Sequence, residues 1–412
     1  MKDKLNGLWV SDLVVPTGFS RVSHGVLKYL TEYHRITGIG VNYKGDPHGF
    51  NFPIFPAFLG GDIYGIRRVV DLLNSQDFDY VFMLNDVWVL DKYLTAIKEN
   101  VKKELPKIYV YFPVDAEYHD KEWYKNFDIV NRAFTYTEFG KSVVKAVDES
   151  IKIESIPHGT DLDIFYKKFS NKSDAKINLF QDKLNSLGNP KDLFIVLNAN
   201  RNQPRKFLST TVDGFSRFAK DKPSTVKIYM HSGIRDASMD LVKLAERYDI
   251  DDRLIITSIA QGVQNVPVEH LNDIYNACDV GINTSAGEGW GLTNTEHAVT
   301  EAAQIVPNHS ACREIFHDCG LLMDTVIPFT FDNSMVVGQL TNADQVADKL
   351  QILYDDRNLL QELGEKAAKK LTGKKYLWST IAKQWQKIFE DGVNDDSTAL
   401  PKHNTNEGSD NQ

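Results

Sequence analysis

The sequence predicts an α/β protein of two doubly wound, Rossmann-like domains, and three observations carry this. At 412 residues the chain is longer than one hydrophobic core ordinarily serves, so two domains are expected. Short apolar runs alternate with segments of helical period almost from end to end, the pattern of βαβ units and parallel sheets. The composition, 42% hydrophobic and 25% charged, is that of a globular chain.

In the first half the predicted strands are GLWVSDLVV, ITGIGVN, DYVFMLN, KIYVYFPV, VNRAFTY and IKIESIP. Amphipathic helices such as RVSHGVLKYLTEYH and KSVVKAVDE lie between them. The second half repeats the rhythm with DLFIVLNAN, TVKIYMHS, RLIITSI and DVGINTS, separated by helices near 207–219, 237–248 and 268–277. The polar stretch 165–192, with Gly188 and Pro190, is the expected junction. That gives a first domain over 1–165 and a second over 190–375. A last helix, 376–391 around Trp378 and Trp385, is expected to cross back onto the first domain. The tail 392–412 has almost no apolar content and is expected to be disordered.

No apolar run reaches the length that spans a bilayer. The short N-terminal apolar stretch is broken by Ser11 and Asp12 and leads to no cleavage site, so a cytoplasmic protein is expected. The formal charge of −9 supplies no overall drive toward nucleic acid or an anionic membrane. Peripheral membrane contact is left open by two local basic clusters, Lys167, Lys168 and Lys172, and Lys369, Lys370, Lys374 and Lys375. Cys278, Cys312 and Cys319 lack metal-ligand spacing and read as structural thiols.

The chemistry concentrates in DVGINTSAGEGWGLTNTEHAV. A strand from Val280 to Thr284 leads into Gly287-Glu288-Gly289-Trp290-Gly291 and then into a helix. Such a passage presents free backbone N–H groups to an anion such as a diphosphate, and glycines allow close approach. Glu288 and Glu296 can then accept hydrogen bonds from sugar hydroxyls. Thr293-x-x-Glu296 also reads as a capping box that would merely satisfy a helix start.

The stretch E-G-W-G-L-x-x-x-E resembles the E-x7-E signature of retaining GT-B glycosyltransferases, family 4 (glycosyl transferases group 1) especially. The resemblance places Glu288 beside a donor sugar and Glu296 on the nucleotide ribose. Gly289, Trp290, Gly291 and Leu292 would offer backbone contacts to sugar and phosphates. In FIVLNANRNQPRKFLSTTVDGF a strand ends at an Arg and a Lys five residues apart, similar to the family's G-R-x-x-x-x-K-G segment. Arg201 and Lys206 match its two cations, which stabilise the charge on a leaving diphosphate. Arg205 stands next to Lys206, and which of them reaches phosphate stays open. Ile156-Pro157-His158-Gly159-Thr160-Asp161 resembles the segment closing the family's first domain. The loop around Gly18 resembles its N-terminal glycine loop.

The sequence also departs from the family. Asn200 and Phe207 stand where glycines flank the cation pair, and Glu301 and Ala303 where a glycine and a proline follow the second glutamate. The histidine expected at the end of the first domain's fourth strand is absent from YVYFPVDAE; Asp115 is its candidate replacement, with His119 or a purely turn-capping Asp115 as alternatives. Asn85-Asp86 ends another strand. Asp77-x-Asp79 and Asp161-x-Asp163 read as structural rather than as metal-binding D-x-D triplets.

The resemblance implies a GT-B architecture, two domains facing across a cleft. It implies a hexosyltransferase that retains configuration, takes a UDP- or GDP-sugar donor, and needs neither a metal nor another cofactor. The acceptor stays open among a glycan, a lipid-linked sugar, a protein and a modified base. A non-catalytic sugar-nucleotide-binding protein and another GT-B enzyme such as an epimerase or phosphorylase are the alternatives. A dinucleotide-dependent oxidoreductase ranks last, because no G-x-G-x-x-G follows the first strand.

Overall fold

The computed structural model describes residues 4–58, 60–257, 266–332 and 334–395. Two β-sheets organise the chain. The first has strands β1 (Asn6–Ser11), β2 (Arg35–Gly40), β3 (Ile54–Pro56), β4 (Tyr80–Leu84), β5 (Lys107–Phe112), β6 (Arg132–Thr135) and β7 (Ile153–Ser155), in the order β3-β2-β1-β4-β5-β6-β7. The second has β8 (Phe194–Asn198), β9 (Val226–Met230), β10 (Leu254–Ile256), β11 (Val280–Ile282), β12 (Ala303–Pro307) and β13 (Leu321–Met323), in the order β10-β9-β8-β11-β12-β13, all parallel. By packing, the chain divides into two compact units. One comprises Met1–Tyr111, Trp123–Ala133 and Ala382–Gln412, and the other Phe112–Glu122 and Phe134–Ile381.

In the first unit β4 is buried at every residue, which explains why DYVFMLN reads as an unbroken apolar run. Parallel strands covered on both faces have no polar side to alternate with. The helix Gly18–Leu30 starts at a capping box: Thr17 Oγ1 accepts from Ser20 N at 3.2 Å and Ser20 Oγ accepts from Thr17 N at 2.9 Å. Gly18 is therefore the first helical residue. The final helix, Trp378–Asn394, lays Trp385 and Phe389 on the aromatic side chains of β4 and β5. Phe389 stacks on Tyr80 at 4.3 Å, and Trp385 meets Phe82 and Tyr111 edge-on at 4.9 and 5.1 Å. This helix runs to Asn394, so Gly392, Val393 and Asn394 are helical rather than part of a disordered tail. From 396 the tail lies outside the described residues.

The second unit is built on Phe194, Val196, Phe215, Ile228, Ile282, Ile305 and Val346, all buried in one core. The stretch expected as a junction instead forms the helix Lys172–Phe180, a single turn at Gln181–Lys183 and the short helix Leu184–Leu187. Ala175 and Phe180 are buried, and so is Lys176, whose ammonium donates to Asp279 and the Leu193 carbonyl. Two buried apolar anchors per nine residues are too few to show as helical periodicity.

A hairpin unseen in the sequence, β14 (Ile327–Thr330) and β15 (Val337–Leu340), frames the site. Val337 exchanges two 2.9 Å backbone hydrogen bonds with Glu117, and Gln339 N donates to Ala286 O at 2.8 Å. Among the described residues no helix is long and apolar enough to cross a membrane.

Candidate functional site

From β8 the chain winds to β9 and β10 on one side, then returns to β11 on the other. The strand order therefore reverses between β8 and β11, and open α/β sheets bind ligands beyond the C-terminal ends of strands at such a point. The two motifs of the sequence leave the sheet here: residues 199–207 after β8, residues 283–291 after β11.

After β8 the backbone makes a single 3-10 turn at Pro204–Lys206, and Phe207 enters the left-handed region at φ +46° before the helix Leu208–Ala219. Thr284 Oγ1, opposite, sits 3.1 and 2.9 Å from the Lys206 and Phe207 carbonyls and bonds Thr211 as well. Ala286 N donates to Arg205 O at 2.9 Å. The two loops are thus stitched through their backbones, which fixes where Arg205 and Lys206 project.

Lys206 Nζ lies 2.5 Å from Glu288 Oε1, and both side chains are under a tenth exposed. The same oxygen accepts from Asn283 Nδ2 at 3.0 Å and Ser285 Oγ at 2.8 Å. Arg205 Nη1 stands 3.9 Å from Glu288 Oε2, 3.5 Å from Asp115 Oδ2, and donates to Gly287 O at 3.1 Å. Burial pushes the Glu288 carboxyl up, but Lys206 and Arg205 together outweigh it and hold the group at about 2. Burial and the Arg205 charge draw Lys206 down from its ordinary value, and Glu288 opposes them. Glu288 is therefore an ionised buried carboxylate wedged between two cations.

The glycines around it meet specific neighbours. A Cβ at Gly287 would stand 1.9 Å from the Asp115 carbonyl oxygen, and one at Gly289 would stand 2.7 Å from Pro113 Cβ. Gly291 turns at φ +91° into the helix Leu292–Ala298. The Trp290 side chain is buried in an aromatic group, 5.2 Å from the His158 ring and 6.0 Å from Tyr376.

Glu296 is buried, and its Oε2 accepts from the Tyr275 hydroxyl at 3.2 Å. The capping-box alternative for Thr293 and Glu296 does not hold. The residue before the helix is Gly291, which has no side chain to cap with, and Thr293 lies inside the first turn.

The remaining expected residues divide. Asp115 joins the cluster through Arg205. His119 and His309 are each drawn down to about 4 by burial, with the charge of Asp115 opposing it in both, so neutral imidazoles border this carboxylate. Arg201 is half exposed and paired with Asp236 through Nε at 2.5 Å and Nη2 at 3.1 Å, apart from the Glu288 cluster. Gly18, Asn85 and Asp86 belong to the first unit. There Asn85 Oδ1 accepts from Asp86 N at 2.9 Å, and Asp86 precedes the helix Val87–Asn100. Asp77 pairs with Lys103, and Asp79 accepts from Asn6 N, so both are engaged in framework contacts.

Asn283, Ser285 and Tyr275 complete the site without having been marked in the sequence. Asn283 and Ser285 sit three to five residues before Glu288, and that adjacency was their one legible signal.

No family model matches the chain, and no curated protein matches it. Among solved structures it is similar to HepE from Anabaena in complex with UDP and glucose (TM-score 0.70, 12% identity, covering 94% of this chain and 100% of that one). It is similar to a sucrose-phosphate synthase from Thermosynechococcus elongatus (TM-score 0.70, 14% identity, 94% and 99%). A glycosyltransferase from Rickettsia africae is a third (TM-score 0.68, 16% identity, 95% and 100%). With its two sheets and their strand orders, this likeness establishes the fold: the chain has the GT-B fold, two Rossmann-like α/β domains.

Proposed function

We propose that this chain is a glycosyltransferase that moves a hexose-type sugar from a nucleoside-diphosphate donor, UDP- or GDP-linked, to an acceptor hydroxyl. The observation that carries the reading is the Arg205–Lys206–Glu288 cluster at the β8–β11 reversal, with Glu296 on the helix that follows. One HepE complex of the same fold holds UDP-glucose, which favours a nucleotide-sugar donor.

In this reading the bond between the anomeric carbon and the diphosphate oxygen breaks, and its electron pair leaves with the diphosphate. Lys206 and Arg205 stabilise that charge, joined by Arg201 once it exchanges Asp236 for phosphate. The acceptor oxygen bonds to the anomeric carbon on the face the diphosphate leaves, and its proton passes to a departing phosphate oxygen. Configuration is retained, and no metal is required because fixed cations do its electrostatic work. Glu288 orients the sugar hydroxyls, Glu296 holds the ribose, and Asp115 contacts sugar or acceptor. Backbone N–H groups from Gly289 to Leu292 face the donor. We assign 190–375 to the donor side, 1–165 with Gly18 to the acceptor side, and the helix 376–391 to the latter.

The test is a thermal-shift screen of the whole chain against UDP, GDP and their hexose conjugates, followed by turnover assays of the binder with and without a chelator. Binding of the native state raises the melting temperature. Lys206→Ala should lower transfer by about 100-fold or more while retaining nucleotide binding. A chain that no nucleotide sugar stabilises would end the proposal, and binding without turnover would turn it into a sugar-nucleotide-binding protein.

A further inference from the structure

At the opposite edge of the second sheet, where the strands begin, two adjoining hollows of about 310 and 740 Å³ share Lys172, Asp279, Arg357 and Leu360. Leu193, Thr225 and Asp279, each the residue just before β8, β9 or β11, line this groove. The Glu288 cluster stands at the strands' other ends, about 17 Å away for a five-residue strand. The groove is a separate site.

Its charge is opposite to that of the chain. Five cations line it, Lys167, Lys172, Lys176, Lys191 and Arg357, against the three carboxylates Asp192, Asp279 and Glu301. Two of those carboxylates are already occupied: Asp279 holds Lys176 at 2.9 Å and Glu301 holds Lys167 at 2.6 Å. Among the described residues Lys172, Lys191 and Arg357 have no ion-pair partner within 4.0 Å. The Lys172 ammonium reaches only the Tyr275 carbonyl, at 3.4 Å. Burial draws it down to about 8, with Asp279 opposing, so an added negative charge nearby would restore it. The Arg357 guanidinium lies over the rings of Phe194 and Tyr354 at 4.3 and 4.6 Å. Stacking of this kind holds the plane of the fork fixed while its N–H edge remains available for planar, bidentate contact with phosphate.

Two helices also begin at the groove, Lys172–Phe180 and Arg357–Leu371, and their positive dipole ends favour an anion. Neutral Asn171 caps one first-turn N–H of the first helix at 2.9 Å and leaves its dipole in place, whereas the Asp356 carboxylate caps the second at 2.9 Å and offsets part of its dipole.

We propose that this groove is a second binding site, for a phosphomonoester, with Lys172 and Arg357 as its principal ligands. The dianion would sit between the ammonium and the guanidinium, with its organic part against Leu360 and Phe169. The phosphomonoester can be a soluble sugar phosphate or a lipid headgroup.

The test titrates the full chain with inorganic phosphate and with glucose 6-phosphate by calorimetry, and sediments it with vesicles containing phosphatidic acid. The titrations are repeated with excess UDP as background, which competes for the β8–β11 site. Saturable binding should persist in that background and weaken about tenfold in Arg357→Gln and in Lys172→Gln, the loss of one charge-assisted contact. Both variants are checked by thermal melting for an intact fold. Glucose 6-phosphate binding without sedimentation assigns the site to a soluble ligand; sedimentation lost in the same variants assigns it to a lipid. Absence of saturation below about 10 mM with every probe, or equal affinity in Arg357→Gln, Lys172→Gln and parent, overturns the proposal.

Discussion

Lys206 and Glu288 form an ion pair at 2.5 Å with both side chains almost wholly withdrawn from water. Asn283 and Ser285 satisfy the same carboxylate oxygen. A pair in this setting is held by mutual compensation, and removing one member leaves an uncompensated buried charge. Lys206→Met is therefore expected to destabilise the chain by about 3–5 kcal/mol, and Glu288→Leu by a similar amount. The double variant should recover most of that loss. Urea unfolding of the four proteins checks it, and additive single effects would show that the pair is not coupled in solution.

The same pair sets an acid dependence. The folded carboxyl of Glu288 sits at about 2 against an ordinary value of 4.5. A depressed folded value means stability that is fully present above the unfolded value and is lost as pH falls through the folded one. The loss should accumulate between pH 4.5 and 2 and amount to something on the order of 3 kcal/mol. Glu288→Gln cannot titrate there, so its stability curve should be flatter over that window than the parent's. Parallel curves for the two proteins would place the acid sensitivity in other carboxylates.

Glu296 and Tyr275 make a second contrast. A carboxylate that binds a ribose accepts two hydroxyl hydrogen bonds, whereas Tyr275 only orients it through one 3.2 Å bond. Glu296→Ala is expected to weaken UDP or GDP binding by about 10- to 100-fold, and Tyr275→Phe by only a few-fold. Isothermal titration of both variants separates the roles. Equal and small effects would remove Glu296 from the nucleotide site.

Much of this was legible because parallel sheets write themselves plainly. β4, β5 and β8 are buried apolar runs, and the two motifs that follow β8 and β11 lie at adjacent strand ends in one sheet. What escaped depends on contacts far apart in sequence. Arg201 and Lys206 look equivalent as a spaced pair, yet Asp236, in a loop after β9, takes Arg201 away from Glu288. The hairpin β14–β15 is only partly buried and polar at its turn, so its strands carry no strong period. Two of the three departures from family glycines have a local answer. Phe207 and Glu301 both adopt left-handed backbone, φ +46° and +62°, so the turns keep a glycine-like path despite their side chains. Sequence marked those positions as different but could not say that their backbone is left-handed.

The close approach of the Glu288 loop to the Pro113–Asp115 segment supplies the last test, because it isolates space from chemistry. Gly287 lacks any reactive group, yet a methyl there would fall 1.9 Å from the Asp115 carbonyl oxygen, a backbone atom that cannot rotate aside. The loop would have to retreat, and with it Glu288, one residue on, whose three donors stand at 2.5–3.0 Å. Gly287→Ala should therefore destabilise by about 1–3 kcal/mol, the range of overpacking, and lower donor binding and turnover together. Gly49→Ala is the control, since nothing lies within 4 Å of the added methyl there, and it should stay within about 0.5 kcal/mol of the parent. Denaturant midpoints and nucleotide titrations on both variants decide the matter. A Gly287→Ala protein as stable and as competent as Gly49→Ala would mean that the loop and the Asp115 segment do not meet as described.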